Sequence, residues 1–194
     1  MNKDTLRQTL RAKRNALTPS QQTFASEQVA THLAQSSDYQ QATHIAFYLA
    51  CDGELDLTPA LKQALADNKA CYLPVIAPNR QLRFRRYNEG CSLVTNRYGI
   101  AEPSADNPEI QPNRLDLVLA PLVAFDSNFN RLGMGGGFYD STFRRAPQPL
   151  GKRDRRAAVL FGVGHSVQKV AQLEREAWDV TLDGVLTETG LDLR

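Results

Sequence analysis

The sequence predicts an α/β fold, a mostly parallel sheet between helices in three layers, with a helical hairpin at the N-terminus. Residues 43–49, 58–66 and 70–75 follow one another as strand, helix and strand. This is a βαβ unit and requires parallel strands. The apolar runs 115–120 and 157–163 are typical of strands buried on both faces. Together these patterns favour a parallel sheet covered by helices.

The N-terminal hairpin is predicted from two helical segments. Residues 3–16 carry leucines at helical spacing, which makes a narrow apolar stripe. Thr18 then opens a helix-start motif. A proline follows it at the first helical position, and Gln21 stands where a capping box needs it. The second helix is expected to end at about Gln35.

The remaining elements follow from turn residues and short apolar runs. Thr58 and Pro59 are predicted to cap the helix that follows them, and residues 81–98 are predicted to form short strands and turns. A helix is expected to start near Phe138 and to end before the prolines that follow. Residues 184–187 are expected to form the last short strand.

Composition and charge place the chain among intracellular globular proteins. Its 194 residues are 42% hydrophobic and 23% charged, with a net charge of +2, and these are ordinary values for one domain spanning residues 1–194. The three cysteines form no C-x-x-C pair and fit a reducing cytosol. The N-terminus is polar, and no run approaches the roughly 18 apolar residues that cross a bilayer. We therefore expect a cytoplasmic protein with no membrane partner.

The most informative segment is a glycine-rich stretch from Arg131 to Asp140. Four of the five residues 133–137 are glycine, so the backbone can approach a ligand closely and direct N–H groups at an anion. The flanking cation and carboxylate suit a phosphate and its divalent metal. The stretch has no Walker A lysine, and Phe138 stands where a dinucleotide fingerprint needs its third glycine. A phosphate cradle of another type and a flexible turn between strand and helix both stay open.

Cations recur at helical spacing in the first helix, at Lys3, Arg7, Arg11 and Arg14. Three interpretations of this basic stripe stay open. It is a solvated helix face, a nucleic-acid footprint or a clamp for a polyphosphate. The helix has no aromatic residue for base stacking, which weighs against binding of single-stranded RNA.

Polar residues follow the first predicted strand, at the sheet edge where parallel α/β proteins bind ligands. Leu49, Asp52, Glu54 and Asp56 are therefore placed to meet a substrate. A carboxylate here either accepts hydrogen bonds from a ring of the amino-pyrimidine type or caps the next helix. Cys51 has no identifiable partner histidine nearby, so we interpret it as a buried cysteine rather than a nucleophile.

Carboxylates near the C-terminus suggest a metal site. Asp179 and Asp183 precede the last predicted strand, and Mg²⁺ takes one or two carboxylates together with phosphates, so these residues can act with Asp140. His165 is the histidine best placed near a site, although a structural role is favoured for it. The basic run at residues 144–156 is interpreted as a solvated loop, with binding of an acidic tail of the substrate as the alternative.

These segments, in this order, resemble the 5-formyltetrahydrofolate cyclo-ligase (5,10-methenyltetrahydrofolate synthetase) family. The resemblance runs from one terminus to the other. Its most specific part is the pattern R-L-G-x-G-x-G-[FY]-Y-D. The matching segments are residues 3–7, 47–56, 121–126, 130–140 and 178–188.

The resemblance implies an activity. ATP and Mg²⁺ are required to close 5-formyltetrahydrofolate to 5,10-methenyltetrahydrofolate, with release of ADP and phosphate. The formyl oxygen is phosphorylated first, and N10 then attacks the formyl carbon. The family fold is similar to the class shared by sugar-phosphate isomerases and CoA transferases. The implied partners are ATP and 5-formyltetrahydrofolate, with or without a polyglutamate tail, and we expect a monomer that binds no nucleic acid.

The resemblance also assigns residues. Arg131 and Tyr139 are implied as catalytic residues, and Asp140 and Asp179 as Mg²⁺ ligands. The implied nucleotide-binding residues are Lys3, Arg7, Arg131, Leu132, Gly133, Met134, Gly135, Gly136, Gly137, Phe138 and Tyr139. The implied folate-binding residues are Leu49, Glu54, Met134, Gly135, Gly136, Gly137 and Phe138.

Two residues depart from the family pattern. Some members have a lysine where this chain has Gly136, so a phosphate contact there is lost or comes from another cation. Phe138 replaces a tyrosine of other members, which puts any hydroxyl contact at that position in doubt. Arg131, Tyr139 and Asp140 follow the pattern.

Two other classes of function stay open. A phosphosugar- or CoA-handling enzyme on the same fold is the nearest, because a fold does not determine function. It would consume no ATP. A small RNA-binding protein that uses the basic stripe is the second, and it would show salt-sensitive RNA affinity and bind no folate.

Overall fold

The structure is a computed structural model of the chain and describes residues 2–144 and 157–194. The helices in this part of the chain are α1 (Lys3–Asn15), α2 (Pro19–Gln35), α3 (Ser37–Gln41), α4 (Thr58–Ala66) and α5 (Phe138–Thr142). The strands are β1 (His44–Ala46), β2 (Ala70–Ile76), β3 (Leu82–Arg86), β4 (Leu93–Thr95), β5 (Ala101–Pro103), β6 (Glu109–Ile110), β7 (Leu117–Pro121), β8 (Ala124–Phe125), β9 (Arg131–Leu132), β10 (Val159–Val163), β11 (Gly184–Thr187) and β12 (Gly190–Leu193).

The central sheet is mostly parallel, as predicted. Its strand order is β12-β11-β10-β7-β1-β2-β3-β6. The five inner strands from β11 to β2 pair in parallel, and the outer strands β12, β3 and β6 pair antiparallel. The sequence did not predict β12, because this strand is short, half exposed and has no continuous apolar run. It pairs with β11 across a tight turn.

Alternation along β7 explains why this strand was an uninterrupted apolar run in the sequence. Leu117 and Leu119 belong to the core that packs under α2 and α4, while Val118 and Ala120 belong to the core on the opposite face. Successive side chains of a strand point to opposite faces, so a strand covered on both sides is apolar at every position. The second face is covered mainly by α5 and by irregular segments, of which Phe143 and Leu182 are buried members.

The N-terminal helices begin as predicted but pack on different parts of the molecule. In α2, Thr18 caps the helix and forms the predicted capping box with Gln21. This helix buries its apolar face in the core above β7. Helix α1 instead buries Leu10 in a separate cluster with Val123 and Leu132. The two helices are consecutive in sequence, but each is held by its own core cluster, so they do not pack on each other as the predicted hairpin requires.

The start of α4 differs from the prediction by one residue, whereas α5 agrees with it. Thr58 is the first helical residue of α4, with Leu57 at the N-cap position. The carboxylate of Asp56 accepts hydrogen bonds from the Thr58 N–H and hydroxyl, at 2.9 and 2.7 Å. Asp56, two residues before Thr58, thus provides the cap that was expected from Thr58 and Pro59. Helix α5 begins at Phe138 and ends at Thr142, before the prolines, as predicted. Among the described residues, no helix is long and apolar enough to span a membrane.

Candidate functional site

A cavity of about 1480 Å³ opens where β1, β2 and β7 end. The segments that follow or end these strands contribute Leu49, Pro74 and Leu122 to its wall. This is the carboxyl edge of a parallel sheet, the place where ligands bind in such folds. Every site residue assigned from the resemblance lines the cavity: Lys3, Arg7, Leu49, Glu54, Arg131, Leu132, Gly133, Met134, Gly135, Gly136, Gly137, Phe138, Tyr139, Asp140 and Asp179.

The glycine-rich loop joins β9 to α5 and needs glycine at two positions. Gly135 has φ +98° and Gly137 has φ +69°, and both values lie in the region that side chains make costly. A Cβ atom at Gly135 would stand 3.6 Å from Cζ of Arg7. The loop therefore lies directly against the basic stripe of α1.

Arg131 is almost fully buried, with 4% of its side chain exposed. Its Nη2 donates to Oδ1 of Asp140 at 2.7 Å, and its Nη1 donates to the carbonyl of Val180 at 2.6 Å. The Val180 N–H also donates to Oδ1 of Asp140, at 3.0 Å. This network fixes the start of the loop to the segment before β11. It also brings Asp140 close to the residue that follows Asp179.

The first two cations of the basic stripe belong to the cavity wall, and both have acidic partners. Arg7 donates from Nε to the carbonyl of Gly133 at 2.9 Å and from Nη1 to Asp4 at 2.6 Å. Nζ of Lys3 lies 3.3 Å from Oε1 of Glu176. A carboxylate therefore neutralises each of these cations, as Asp140 does for Arg131.

The last two cations of the stripe have a different role. Arg14 has no exposed surface, so the interpretation of the stripe as a solvated face is wrong for this residue. Its Nε and Nη2 donate to the carbonyl and carboxylate of Asp52 at 2.8 and 2.9 Å, and its Nη1 donates to the carbonyl of Leu122 at 3.3 Å. Nε of Arg11 donates to the same carboxylate at 2.6 Å. Half of the stripe therefore holds the fold together.

Glu54 and Tyr139 form the other polar part of the wall. Oε2 of Glu54 accepts from the N–H of Cys51 at 3.2 Å, and burial raises the pKa of the Glu54 carboxyl. Burial also raises the pKa of Tyr139 far above its usual value, with a further contribution from Glu54. The phenol therefore stays protonated and can donate a hydrogen bond. Cys51 keeps its proton as well, because burial and Glu54 raise its pKa to about 11. The thiolate, which is the nucleophilic form of cysteine, is therefore scarce at neutral pH, although Cys51 is half-buried and not buried as expected.

Three polar residues considered from the sequence lie elsewhere. Asp56 caps α4 as described, and Oδ2 of Asp183 accepts from the N–H of Leu160 at 2.8 Å, so both carboxylates serve the fold. His165 is 1% exposed, and its Nε2 has no hydrogen-bond partner among the described residues. A position next to the end of a strand therefore did not predict whether these side chains line the cavity. Beyond Arg144, the basic run lies outside the described residues.

The two predicted metal ligands, Asp140 and Asp179, both accept hydrogen bonds from backbone N–H groups of residues 176–180. Oδ2 of Asp179 accepts from the N–H of Glu176 at 2.8 Å, and Asp140 bonds the N–H of Val180. In the part of the chain that the structure describes, no three His, Cys, Asp or Glu side chains are grouped to hold a metal. A pair of carboxylates is nevertheless what Mg²⁺ uses when phosphates complete its coordination.

Aromatic residues of the wall were missed in the sequence. Tyr98, at the tip of the β4–β5 hairpin, makes an edge-to-face contact with Phe138 at 6.3 Å between ring centroids. Trp178, the sole tryptophan of the chain, lines the cavity and is 56% exposed. Exposed aromatic residues in loops are a signal for binding. Their presence in one cavity with the glycine loop depends on long-range contacts that no local pattern contains.

The two departures from the family pattern are linked in space. A Cβ atom at Gly136 would stand 2.6 Å from Cε2 of Phe138. The phenylalanine ring therefore occupies the volume that a side chain at residue 136 would enter. A side chain at residue 136 therefore requires this ring to shift.

Comparisons with known proteins identify the family of this chain. A sequence profile of the 5-formyltetrahydrofolate cyclo-ligase family matches residues 1–188. The 5-formyltetrahydrofolate cyclo-ligase of Escherichia coli K12 is 39% identical over 185 residues, which cover 92% of this chain and 96% of the relative. The enzyme of that name from Haemophilus influenzae is 36% identical over 184 residues, covering 93% and 95%.

The fold comparison gives the same result. An NMR structure of a 5,10-methenyltetrahydrofolate synthetase from Aquifex aeolicus has a TM-score of 0.82 and 29% sequence identity, covering 100% of this chain and 93% of that one. The resemblance predicted from the sequence is therefore confirmed. This chain belongs to the 5-formyltetrahydrofolate cyclo-ligase family.

Proposed function

We propose that this protein uses ATP to close 5-formyltetrahydrofolate to 5,10-methenyltetrahydrofolate, releasing ADP and phosphate. The observation that carries the proposal is one cavity with two chemically different walls. Its volume of about 1480 Å³ exceeds the range of about 300–1,000 Å³ that is usual for one small ligand. Cations and glycines form one wall and a half-buried carboxylate lies in the other, as an enzyme that brings a nucleotide into contact with a second ligand requires.

The wall that we assign to ATP consists of the glycine-rich loop and the start of α1. Lys3, Arg7 and Arg131 supply positive charge, and the loop supplies backbone N–H groups that bind phosphate oxygens. Arg7 lies against Gly135. Phosphates held by the loop therefore meet the cations of α1 at the same place.

The wall that we assign to the folate contains Leu49 and Glu54. A carboxylate accepts hydrogen bonds from the ring nitrogens and amino group of a pterin, whereas an uncharged apolar pocket offers no acceptor. Tyr139 lies within electrostatic reach of both Glu54 and Arg131. We propose that its hydroxyl donates a hydrogen bond at the junction of the two ligands, where the oxygen atoms react.

The chemistry that this arrangement serves is a phosphoryl transfer followed by ring closure. The formyl oxygen attacks the γ-phosphorus of ATP, the bond to ADP breaks, and an imidate-type phosphate forms. N10 then attacks the formyl carbon, the C–O bond breaks and phosphate leaves, while N10 gives its proton to solvent. Positioning and charge neutralisation supply most of the catalysis in such reactions. Arg131, Lys3 and Arg7 do this on the protein's side.

Asp140 and Asp179 are the residues that we propose to hold Mg²⁺. The pair fits this ion, because Mg²⁺ takes oxygen ligands, needs few of them from the protein and keeps water and phosphate in the rest of its shell. When bound, Mg²⁺ would neutralise charge on the polyphosphate of ATP. We further propose a cytoplasmic monomer that binds neither nucleic acid nor membrane.

The structure favours this function over the two rivals considered from the sequence. An RNA-binding face needs free cations along α1, but Arg14 is buried and Arg11 is paired with Asp52. A phosphosugar- or CoA-handling enzyme would need no ATP. The family membership and the two-walled cavity both point to the cyclo-ligase instead.

The experiment that tests the proposal is an omission assay. Purified protein is incubated with 5-formyltetrahydrofolate, ATP and Mg²⁺, and the absorbance of the methenyl product is followed while each component is left out in turn. We expect product only when all three are present, with one ADP formed for each product. Product formation without ATP, or ATP hydrolysis without methenyl product, would contradict the proposal.

Glu54→Gln is expected to raise the KM for 5-formyltetrahydrofolate by about 10- to 100-fold, because a hydrogen bond to a charged group is worth about 1.5–3 kcal/mol. The KM for ATP is expected to stay within about twofold, since the change lies in the other wall. Steady-state kinetics with each substrate varied in turn measure both constants. The control is Glu27→Gln, the same change on the exposed side of α2. An unchanged folate KM would remove Glu54 from the folate site.

A further inference from the structure

The turn over residues 51–54 is attached to α1 by a polar network in which Arg14 is buried and Asp52 is partly exposed. Arg14 has no exposed surface and donates three hydrogen bonds, two of them to the backbone and carboxylate of Asp52. Arg11 and Asn15 donate to the same carboxylate at 2.6 and 3.4 Å. The hydrogen bond from Arg11 is the largest cause that lowers the pKa of Asp52 to about 2. The carboxylate therefore stays charged and paired across the physiological range.

The backbone of this turn is shaped to fit the helix. Asp52 has φ +49° and Gly53 has φ +72°, two successive residues in the left-handed region, which a non-glycine residue enters at a cost. A Cβ atom at residue 53 would stand 1.9 Å from Oδ1 of Asn15. The turn and the end of α1 are thus in direct contact. The hydrogen bonds of Asp52 to α1 offset the energetic cost of its left-handed backbone conformation.

The same turn holds the carboxylate that we assign to the folate. The Glu54 N–H donates to the carbonyl of Cys51 at 2.9 Å, and the Glu54 side chain accepts from the Cys51 N–H. Both hydrogen bonds close the turn around Asp52. A displacement of Asp52 relative to α1 therefore moves Glu54 as well.

The other end of α1 reaches the wall that we assign to ATP. Lys3 and Arg7 lie there, and Arg7 bonds the carbonyl of Gly133 in the glycine-rich loop. Helix α1 has 13 residues, a length of about 20 Å at 1.5 Å per residue. One continuous helix thus contacts the glycine loop with its first two turns and the Glu54 turn with its last two.

We propose that Asp52 is a positioning residue that couples the two ligand sites through α1. Phosphates that restrain Lys3 and Arg7 restrain the helix, and the bonds of Asp52 pass this restraint to the turn of Glu54. The second ligand then loses less conformational freedom on binding, which is positive coupling. This inference rests on the proposed function, because it takes the nucleotide and folate walls from it.

The test compares Asp52→Asn with Asp56→Asn. The second variant carries the same change on the same loop, but Asp56 bonds Thr58 in α4 instead of α1. The measured quantity is the dissociation constant of 5-formyltetrahydrofolate with and without saturating non-hydrolysable ATP analogue and Mg²⁺, by calorimetry. Arg11→Gln provides a milder second variant, since Arg11 is partly exposed and its loss leaves Arg14 paired.

For the wild type and Asp56→Asn we expect the nucleotide analogue to tighten folate binding by about fivefold or more, within the usual range of coupling between two sites. For Asp52→Asn we expect less than about twofold, and for Arg11→Gln an intermediate ratio. Amide exchange of residues 51–54 should slow on adding nucleotide in the wild type but not in Asp52→Asn.

The outcomes separate this inference from the proposed function. A wild type that forms the product but shows no coupling overturns the inference alone. So does an Asp52→Asn protein that keeps the wild-type ratio, or an Asp56→Asn protein that loses it equally. A wild type that forms no product in the omission assay overturns the proposed function, and the inference falls with it.

Discussion

Replacing Arg131 with alanine is expected to lower kcat for the proposed reaction by about a thousandfold. Cationic and hydrogen-bond donors aimed at a transferring phosphoryl group contribute effects of about this size. The loss has a second cause here, since Arg131 holds both Asp140 and the carbonyl of Val180 in place. Its removal therefore disturbs the proposed metal ligand together with the phosphate contacts. Stopped-flow measurement of methenyl formation in a single turnover gives the chemical step directly.

Two control variants identify the cause of that loss. Arg131→Lys keeps the charge but cannot make both fixed contacts of the guanidinium, so we expect partial recovery. Arg83→Ala removes an exposed arginine that pairs with Glu109 away from the cavity, and it should leave turnover unchanged. Near wild-type turnover of Arg131→Ala would remove this residue from the proposed phosphate site.

Replacing Arg14 with alanine is expected to lower the free energy of unfolding by about 3–5 kcal/mol. The Arg14 side chain has no exposed surface, so its removal takes away buried hydrogen bonds and leaves a cavity, and losses of this kind together reach about this size. In this protein, Asp52 would keep only Arg11 and Asn15 as donors, the carbonyl of Leu122 would keep only Gln168, and the volume of the side chain would be left empty. Urea denaturation followed by circular dichroism measures the change.

The neighbouring arginine supplies the comparison. Arg11 donates to the same carboxylate, but 40% of its side chain is exposed. Exposed ion pairs contribute about 0–1 kcal/mol, so Arg11→Ala should cost no more than that. A cost for Arg14→Ala that equals the cost for Arg11→Ala would show that burial of the pair has no energetic consequence.

The parts of the fold that could be predicted from the sequence are those with local causes. The capping box of Thr18 and Gln21 involves residues three apart, and the apolar runs of β7 and β10 report burial on both faces. The β12 strand and the start of α4 were not predicted. Strand β12 forms because it pairs with β11. The cap of α4 comes from Asp56, which lies outside the Thr58-Pro59 motif on which the prediction was based.

The site shows the same division between local and long-range causes. The glycines and flanking charges of residues 131–140 lie together in sequence, so their association was visible there. The four cations of α1 share one spacing, yet Lys3 lines the cavity while Arg14 is buried. Helical periodicity places residues on a face and does not say what covers it. Contacts with distant residues distinguish the two ends of the stripe, such as that of Arg14 with Asp52, 38 residues away.

The carboxylates that already neutralise Lys3, Arg7 and Arg131 have a consequence for selectivity. Binding of any anion at this wall exchanges one negative partner for another, so much of the Coulombic gain is offset by the loss of Glu176 or Asp4. Inorganic phosphate or sulfate brings charge and little else. ATP also brings a base, a sugar and a chain of phosphates that reach the N–H groups of the glycine loop. Cells hold abundant small anions, and a wall with paired cations favours the ligand that offers more than its charge.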